Sequence, residues 1–79
     1  MKVKYLGESF GTEGLTNQRI YEVLKVEGDM IRVIDDSGED YLYSVVKPSS
    51  LEDYTKCGKW EIVEDSKDKK LQKAIEKYS

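Results

Sequence analysis

The stretch that decides the fold runs from Tyr21 to Val45, with the sequence YEVLKVEGDMIRVIDDSGEDYLYSV. It contains three short apolar runs separated by two acidic segments, each with a glycine, Gly28 and Gly38. The runs are rich in β-branched and aromatic residues, and the glycines stand where the chain must turn. This pattern is typical of consecutive antiparallel hairpins. We therefore predict a three-strand meander at the centre of the fold.

Two further strands are predicted, one on either side of the meander. Near the N-terminus Val3 and Tyr5 alternate with lysines, as expected for a strand with one buried face. After the meander, Pro48 cannot donate to a strand ladder and marks a break. Residues 51–58 are a polar connection in which we expect one turn of helix, and Trp60–Val63 is the last strand. The sequence thus predicts a small antiparallel barrel of about five strands.

A glycine-rich loop is predicted between the first two strands. Residues 7–14 contain three glycines, which adopt positive φ at low steric cost. Phe10 lies in the middle of this loop, and we expect it to pin the loop to the core. The glycine spacing does not match a dinucleotide-binding fingerprint, so no nucleotide cofactor is implied.

The last residues, 66–79, have the pattern of an amphipathic helix. One apolar stripe stands at positions i, i+3, i+4 and i+7, formed by Leu71, Ala74, Ile75 and Tyr78. Ser66 is the predicted N-cap, with Asp65 as the alternative. A helix this short is marginal in water, so it needs a surface to dock on. We favour docking on the barrel formed by residues 1–65 of the same domain; docking on a partner is the alternative.

Length and charge limit the possible partners. Seventy-nine residues make one small domain with a modest core. The net charge is −3, but residues 1–66 carry eight basic and fourteen acidic side chains, whereas residues 67–79 carry five lysines against two acidic residues. The strand region therefore repels phosphate groups, while the C-terminal segment attracts them. No apolar run is long enough to span a membrane, and no membrane partner is expected.

The residue types argue against an enzyme. The chain has no histidine, which removes the commonest general base and the commonest metal ligand. Its single cysteine, Cys57, cannot complete a Cys–His pair or an ordinary zinc site. A lone thiol also argues against a disulfide-stabilised secreted domain. We expect a cytoplasmic, monomeric, non-catalytic protein without a cofactor.

An acidic cluster lies at the tip of the second predicted hairpin. Four carboxylates fall within six residues: Asp35, Asp36, Glu39 and Asp40. One interpretation is a weak Ca²⁺ or Mg²⁺ site; the other, which we favour, is a solvated turn. An EF-hand loop starting at Asp35 would need an acidic residue at the position of Val46, so that motif fails.

The order of strand, glycine-rich loop, meander, connection and last strand resembles an SH3-like barrel over residues 3–64. The residues that carry the resemblance are Leu15-Thr16-x-x-x-Ile20-Tyr21-Glu22-Val23, the two hairpin tips, and the pair Tyr41 and Tyr43. The signalling members of this family look different, because Met30 and Ile31 stand where a tryptophan would open the third strand. Binding of proline-rich peptides is therefore not implied. The chain is similar instead to small SH3-like proteins of bacteria and their phages.

Aromatic residues supply the first candidate site. Tyrosine and tryptophan are common at binding hot spots, and we take as candidate protein-binding residues Tyr41, Tyr43, Tyr54 and Trp60. The alternative is that they fill the core and its rim. Tyr41 and Tyr43 are two residues apart and lie on the same face of their strand, so we expect both to be buried or both to be on a surface. Our first functional hypothesis is a protein-interaction module with a protein partner.

Lysines supply the second candidate site. Candidate phosphate-binding residues form a ridge beside the apolar stripe of the predicted helix, namely Lys69, Lys70, Lys73 and Lys77. The alternative is an ordinary solvated face. Lys67, Lys69 and Lys70 are expected in the first helical turn, where the helix dipole disfavours positive charge. Our second hypothesis is a nucleic-acid-associated accessory protein that contacts phosphate through these lysines.

Overall fold

The computed structural model describes residues 1–9, 14–49 and 58–79. They form five strands and one helix: β1 (Lys2–Leu6), β2 (Ile20–Glu27), β3 (Met30–Ile34), β4 (Asp40–Ser44), β5 (Lys59–Glu64) and α1 (Lys70–Tyr78). The strands make one antiparallel sheet in the order β4-β3-β2-β1-β5. The predicted mainly β fold with a C-terminal helix is thus confirmed. The expected core contact of Phe10 and the helical turn expected after Leu51 lie outside the described residues.

The meander β2-β3-β4 forms where the sequence predicts it. Its two tight turns use Gly28 and Gly38, which have φ values of 65° and 83°. These values lie in the left-handed region that glycine enters without steric cost. Val33 in β3 lies opposite Val23 on one side and Tyr41 on the other. The regular pairing of β3 with β4 contrasts with an irregularity between Val23 and Lys25 in the pairing of β2 with β3.

The sheet is open at both edges. Among the described residues, β4 pairs only with β3 and β5 pairs only with β1. A side-chain hydrogen bond reaches between the two edge strands, from the Trp60 indole Nε1–H to the Ser44 carbonyl oxygen at 2.9 Å. The five strands are therefore an open sheet, and closure into a barrel stays a prediction.

The core lies on one face of this sheet. Strand alternation sends Val3, Tyr5, Ile31 and Val33 to that face, where they are buried. Their sequence neighbours on the opposite face are charged or partly exposed. The burial of these side chains is the main source of stability in so small a domain.

The helix begins later than its sequence pattern predicts. Its first residue is Lys70, preceded by Lys69 in a left-handed conformation with φ 55° and ψ 48°. Both predicted caps act, but from a turn that precedes the helix. The Ser66 hydroxyl accepts the Lys70 N–H at 3.0 Å, and the Asp65 carboxylate accepts the N–H groups of Leu71 and Gln72, each at 3.1 Å. The expectation that Lys67 and Lys69 lie in the first helical turn is wrong, because this turn delays the helix.

The apolar stripe of α1 packs against the core of the same chain. Leu71 and Ala74 are buried within the core cluster, and Ile75 is partly buried against it. Tyr78, the last member of the stripe, remains exposed, with the Lys77 ammonium 5.4 Å from the centre of its ring. The short helix thus has the docking surface that its length requires.

Candidate functional site

Trp60 lies at the centre of an aromatic cluster. Its ring centre is 5.7 Å from that of Tyr5, 6.4 Å from that of Tyr21 and 6.3 Å from that of Tyr43, all in edge-to-face arrangements. Only 7% of Trp60 is exposed. Edge-to-face pairs of this kind stabilise a core beyond the area that they bury. Trp60 therefore acts mainly as a core residue and offers little surface to a partner.

Asp35 is a buried acceptor beside this cluster. It is 6% exposed and is the only buried charged residue among those described. The Tyr43 hydroxyl donates to its Oδ2 at 2.7 Å, and the Ser37 backbone N–H donates to its Oδ1 at 3.0 Å. Burial, together with this carboxylate, raises the pKa of Tyr43 far above its usual value of 10. Asp35 thus fixes Tyr43 to the hairpin turn.

Asp36 ties the same turn to the segment before β2. Its carboxylate accepts hydrogen bonds from the Thr16 hydroxyl at 2.8 Å, the Tyr21 hydroxyl at 2.9 Å and the Arg19 guanidinium at 3.1 Å. The Tyr21 hydroxyl in turn accepts the Thr16 backbone N–H at 2.7 Å. Burial raises the pKa of Tyr21, and the hydrogen bond to Asp36 and the charge of that carboxylate act in the same direction. The network holds the end of β3 against the start of β2.

The acidic residues of the tip are engaged by protein donors. The Asp35 and Asp36 oxygens accept protein donors, and Asp40 is paired with Arg32 at 3.0 Å. Within the described ranges, no group of three or more acidic, cysteine or histidine side chains is arranged to hold a metal ion. Sequence reasoning treated the tip as solvated or cation-binding and missed its role as an acceptor for tyrosine hydroxyls. Tyr43 stands opposite Ile31, so only the folded hairpin brings its hydroxyl to Asp35.

A shallow cleft of about 280 Å³ opens next to this network. Ile20 and Ile34 contribute apolar lining, and Arg19, Glu22 and Asp36 contribute charged lining. The cleft is open to solvent, and the carboxylates in its lining come from Glu22, Asp35 and Asp36. Its shape and lining fit the docking of a side chain better than the enclosure of a substrate.

The outer face of the meander, opposite the core, carries several exposed apolar side chains. Its exposed apolar side chains are Ile20, Leu24, Ile34 and Leu42. Leu24 is 50% exposed and Leu42 is 39% exposed. The sequence contained the relevant evidence, because Val23-Leu24 and Val33-Ile34 place apolar residues on both faces of their strands. We refer to these four residues as the outer apolar face.

Tyr41 and Tyr43 share one face of β4 but differ in environment. Tyr41 is 47% exposed, and its hydroxyl donates to Glu39 at 3.0 Å. Tyr43 is partly buried between Trp60 and Asp35. The expectation that both tyrosines are buried or both are on a surface is therefore wrong, because Tyr41 lies nearer the hairpin turn and away from Trp60. Tyr54, the remaining candidate of this set, lies outside the described residues.

The candidate lysines lie together on and just before α1. Lys69, Lys70, Lys73 and Lys77 are all exposed. A hydrogen bond from the Ser66 side chain and one from the Asp68 backbone N–H hold the pKa of Asp68 below its usual value, and the charges of Lys70 and Lys73 add to this effect. None of the three ion pairs found among the described residues involves a lysine.

Comparison of the chain with protein-family models, curated proteins and solved structures gives no match. Among the described residues, no helix is both long enough and apolar enough to cross a membrane. The function of this protein is therefore inferred from its own surfaces, and the meander offers the most distinctive one.

Proposed function

We propose that this protein is a non-catalytic protein-interaction module, and that the outer apolar face of the meander binds its partner. The observation that carries the proposal is a contrast between buried polar groups, which are hydrogen-bonded, and apolar side chains, which stay exposed. In the described part of the chain, every buried side-chain nitrogen and oxygen has a hydrogen-bond partner, yet four large apolar side chains of the meander remain exposed. Contiguous exposed apolar groups with a polar rim are typical of interaction sites.

The surroundings of Arg32 support this surface. Arg32 lies opposite Leu42 on β4 and opposite Lys25, next to Leu24, on β2. Its guanidinium donates to Glu27 at 2.8 Å and to Asp40 at 3.0 Å. These two carboxylates hold the side chain in place on the sheet before any partner arrives. An ordered arginine between apolar residues is a frequent centre of protein interfaces, because little side-chain entropy is lost on binding.

The fold proposal that accompanies this function is an SH3-like barrel. It is supported by the position of β1 between β2 and β5, with connections of similar length, residues 7–19 and 45–58, before and after the meander. The Trp60 to Ser44 hydrogen bond brings the two edge strands near each other at one end. Folds of this size carry many functions, so the fold alone does not select one.

The test is capture of binding proteins from lysate by the immobilised domain and by the double variant Leu24→Ser, Leu42→Ser. We expect a partner that wild type retains through nuclease treatment and that the double variant loses. Val63→Ser is the matched control, because Val63 is similarly exposed but lies on β5. Equal capture by all three proteins, with their folds verified by circular dichroism, would refute the outer apolar face as the binding surface.

A second candidate function is nucleic-acid binding through the lysines of α1. The observation in its favour is that these lysines are exposed and that no described ion pair connects them to the acidic sheet. Phosphate contacts made by lysines weaken steeply with salt and show little sequence preference. The test is a fluorescence-anisotropy titration of single-stranded DNA at two salt concentrations with wild type and the variant Lys70→Gln, Lys73→Gln. Absence of binding at low salt removes this candidate.

A further inference from the structure

The two edge strands of the sheet differ in how they are protected. β5 carries charges at Lys59, Glu61 and Glu64, and its pairing with β1 is irregular near its end. β4 is paired with β3 without irregularity, and its sequence Asp40–Ser44 contains one charge and no proline. Natural sheets guard free edges with charges, proline or bulges, because an unguarded edge pairs with other strands. β4 is therefore the edge on which another strand could dock.

The hydrogen bonds at both ends of β4 show which backbone groups face that edge. Asp35 N–H donates to the Glu39 carbonyl at 3.2 Å, and Val45 N–H donates to the Asp29 carbonyl at 2.9 Å. Antiparallel ladders alternate between bonded and non-bonded pairs. The odd-numbered residues Tyr41 and Tyr43 therefore bond towards β3, whereas the even-numbered residues direct their N–H and C=O groups outwards.

The tryptophan contact agrees with this assignment. The outward carbonyl of Ser44 accepts the Trp60 indole N–H at 2.9 Å. The backbone N–H and C=O groups of Asp40 and Leu42 face this edge, where no strand among the described residues pairs with them. These two residues make a short docking site with one acidic side chain and one apolar side chain on its outer face.

The charge near the edge selects the occupant. Three acidic residues lie at the turn end of β4, namely Asp36, Glu39 and Asp40. Asp36 forms an ion pair with Arg19, and Asp40 forms one with Arg32. Glu39 adds a further carboxylate that bonds only the Tyr41 hydroxyl among the described side chains. A second copy of this chain fits poorly, since it carries a net charge of −3 and its own Ser44 carbonyl is already occupied.

We propose that the free edge of β4 binds an extended, basic segment of a partner protein as an added strand. This deepens the proposed interaction function and rests on it. The backbone of the segment bonds to Asp40 and Leu42, an apolar side chain covers Leu42, and a lysine or arginine two residues away lies over Asp40. Strand addition of this kind draws its affinity from backbone hydrogen bonds and its specificity from alternate side chains.

The experiment uses the peptide acetyl-Thr-Val-Thr-Lys-Thr-amide as the probe, titrated into ¹⁵N-labelled domain up to millimolar concentration. We expect the largest amide shifts at Asp40 and Leu42, whose N–H groups face the edge. A peptide with glutamate in place of lysine should bind more weakly, and a fully N-methylated peptide should not bind. The proposal is overturned if no amide of β4 shifts, or if the N-methylated peptide binds equally well.

Two variants separate backbone from side chain at the same position. Leu42→Pro removes the outward N–H and leaves the ladder to β3 intact, so it should weaken probe binding about tenfold or more. Leu42→Ala keeps the N–H and should weaken binding less. Equal loss with both variants would assign the effect to the side chain and overturn strand addition. Should Leu42→Pro fail to fold, the N-methylated peptide tests the same point with the wild-type domain.

The outcomes also distinguish this inference from the function on which it rests. A partner that wild type and Leu42→Pro capture equally refutes the edge but preserves the interaction function. Probe binding at Asp40 and Leu42, without any captured partner, preserves the edge and refutes the function. Shifts at these amides that grow with protein concentration, without peptide, would identify a second copy as the occupant and overturn the proposal.

Discussion

The aromatic cluster and the outer apolar face are built from the same strands but follow opposite rules. In the cluster, Trp60, Tyr21 and Tyr43 are packed edge to face, and their polar atoms donate to Ser44, Asp36 and Asp35. On the outer face, apolar side chains are left without cover among the described residues. A strand with period-two alternation thus presents two surfaces, and in this molecule only one of them contributes to stability.

The cause of the difference is what lies over each face. The inner face is covered by α1, through Leu71 and Ala74, and by the curvature that brings Trp60 to the end of β4. Among the described residues, neither a helix nor a curved strand covers the outer face. Removal of buried groups should therefore cost stability, whereas changes on the outer face should affect binding. Four predictions test this division, in order of expected effect.

The largest effect is expected from Trp60→Ala. Loss of a buried tryptophan costs about 3–5 kcal/mol in the free energy of unfolding, which approaches the total stability of a small domain. Urea denaturation followed by circular dichroism measures it. Trp60→Phe is the control, because it keeps an aromatic ring and loses the hydrogen bond to Ser44. An alanine variant as stable as wild type would show that the cluster is not the core.

The next effect is expected from Tyr43→Phe, which leaves the Asp35 carboxylate without one donor. We expect a loss of about 1–3 kcal/mol at neutral pH, since Asp35 is buried. Tyr41→Phe on the same strand is the control and should cost less, because Tyr41 is largely exposed.

The pH dependence gives the same hydrogen bond a second test. The pKa of Tyr43 is raised in the folded state above its usual value of 10, so the neutral hydroxyl favours folding. Its contribution is complete below pH 10 and is lost as the pH rises through the folded-state pKa. Wild type should therefore lose more stability above pH 10 than Tyr43→Phe, as judged from thermal unfolding. Identical alkaline profiles would contradict the assigned bond.

A smaller effect is expected at the start of α1. Partial burial acts to raise the pKa of Asp65, but the backbone N–H groups of Gln72, Leu71 and Ser66 outweigh it and hold the pKa below 3.8. The charged carboxylate thus stabilises the helix fully above that value, and the contribution disappears as the pH falls through the folded-state pKa.

We expect the amide signals of Leu71 and Gln72 to move together on acidification, at a pH below the usual aspartate pKa of 3.8, because both N–H groups bond to Asp65. Asp65→Ala should cost about 1 kcal/mol, as loss of a helix cap does. Asp65→Asn can still accept hydrogen bonds but cannot titrate, and so should remove the acid transition. An acid transition that persists in Asp65→Asn would assign it to another carboxylate.

The smallest effect on stability is expected on the outer face. Leu24→Ser and Leu42→Ser should each change the free energy of unfolding by less than about 0.5 kcal/mol, because both side chains are exposed. Chemical denaturation measures the change, with Val33→Ser as a buried contrast on the neighbouring strand. A loss comparable to that of Val33→Ser would mean that the outer face is covered and is no binding surface.

Parts of this molecule were predictable because their determinants are local. The alternation of apolar residues and the glycines at Gly28 and Gly38 predicted the meander, and the stripe from Leu71 predicted the helix. The start of the helix was less predictable. Asp65 and Ser66 were identified as caps, but the turn through Lys69 shifts the first helical residue to Lys70.

Gly58 illustrates a determinant that is not local. Gly58 is the last residue of the polar connection predicted for residues 51–58, and a Cβ atom there would lie 2.6 Å from the Leu6 carbonyl oxygen and 2.6 Å from the Tyr5 ring. Glycine is needed because the backbone of the strand approaches Tyr5 closely. That contact joins residues more than fifty positions apart, and no short pattern contains it.

By itself, the sequence determined the strands, the turns and the amphipathic helix, since each depends on the spacing of residues within one segment. Only the tertiary structure decided that Trp60 is core, that Tyr43 bonds Asp35 while Tyr41 stays exposed, and that Leu42 lies on an open edge. The physical reason is that burial and hydrogen-bond partners are set by neighbouring strands. Alternation fixes which face a side chain takes, but the fold decides what covers that face.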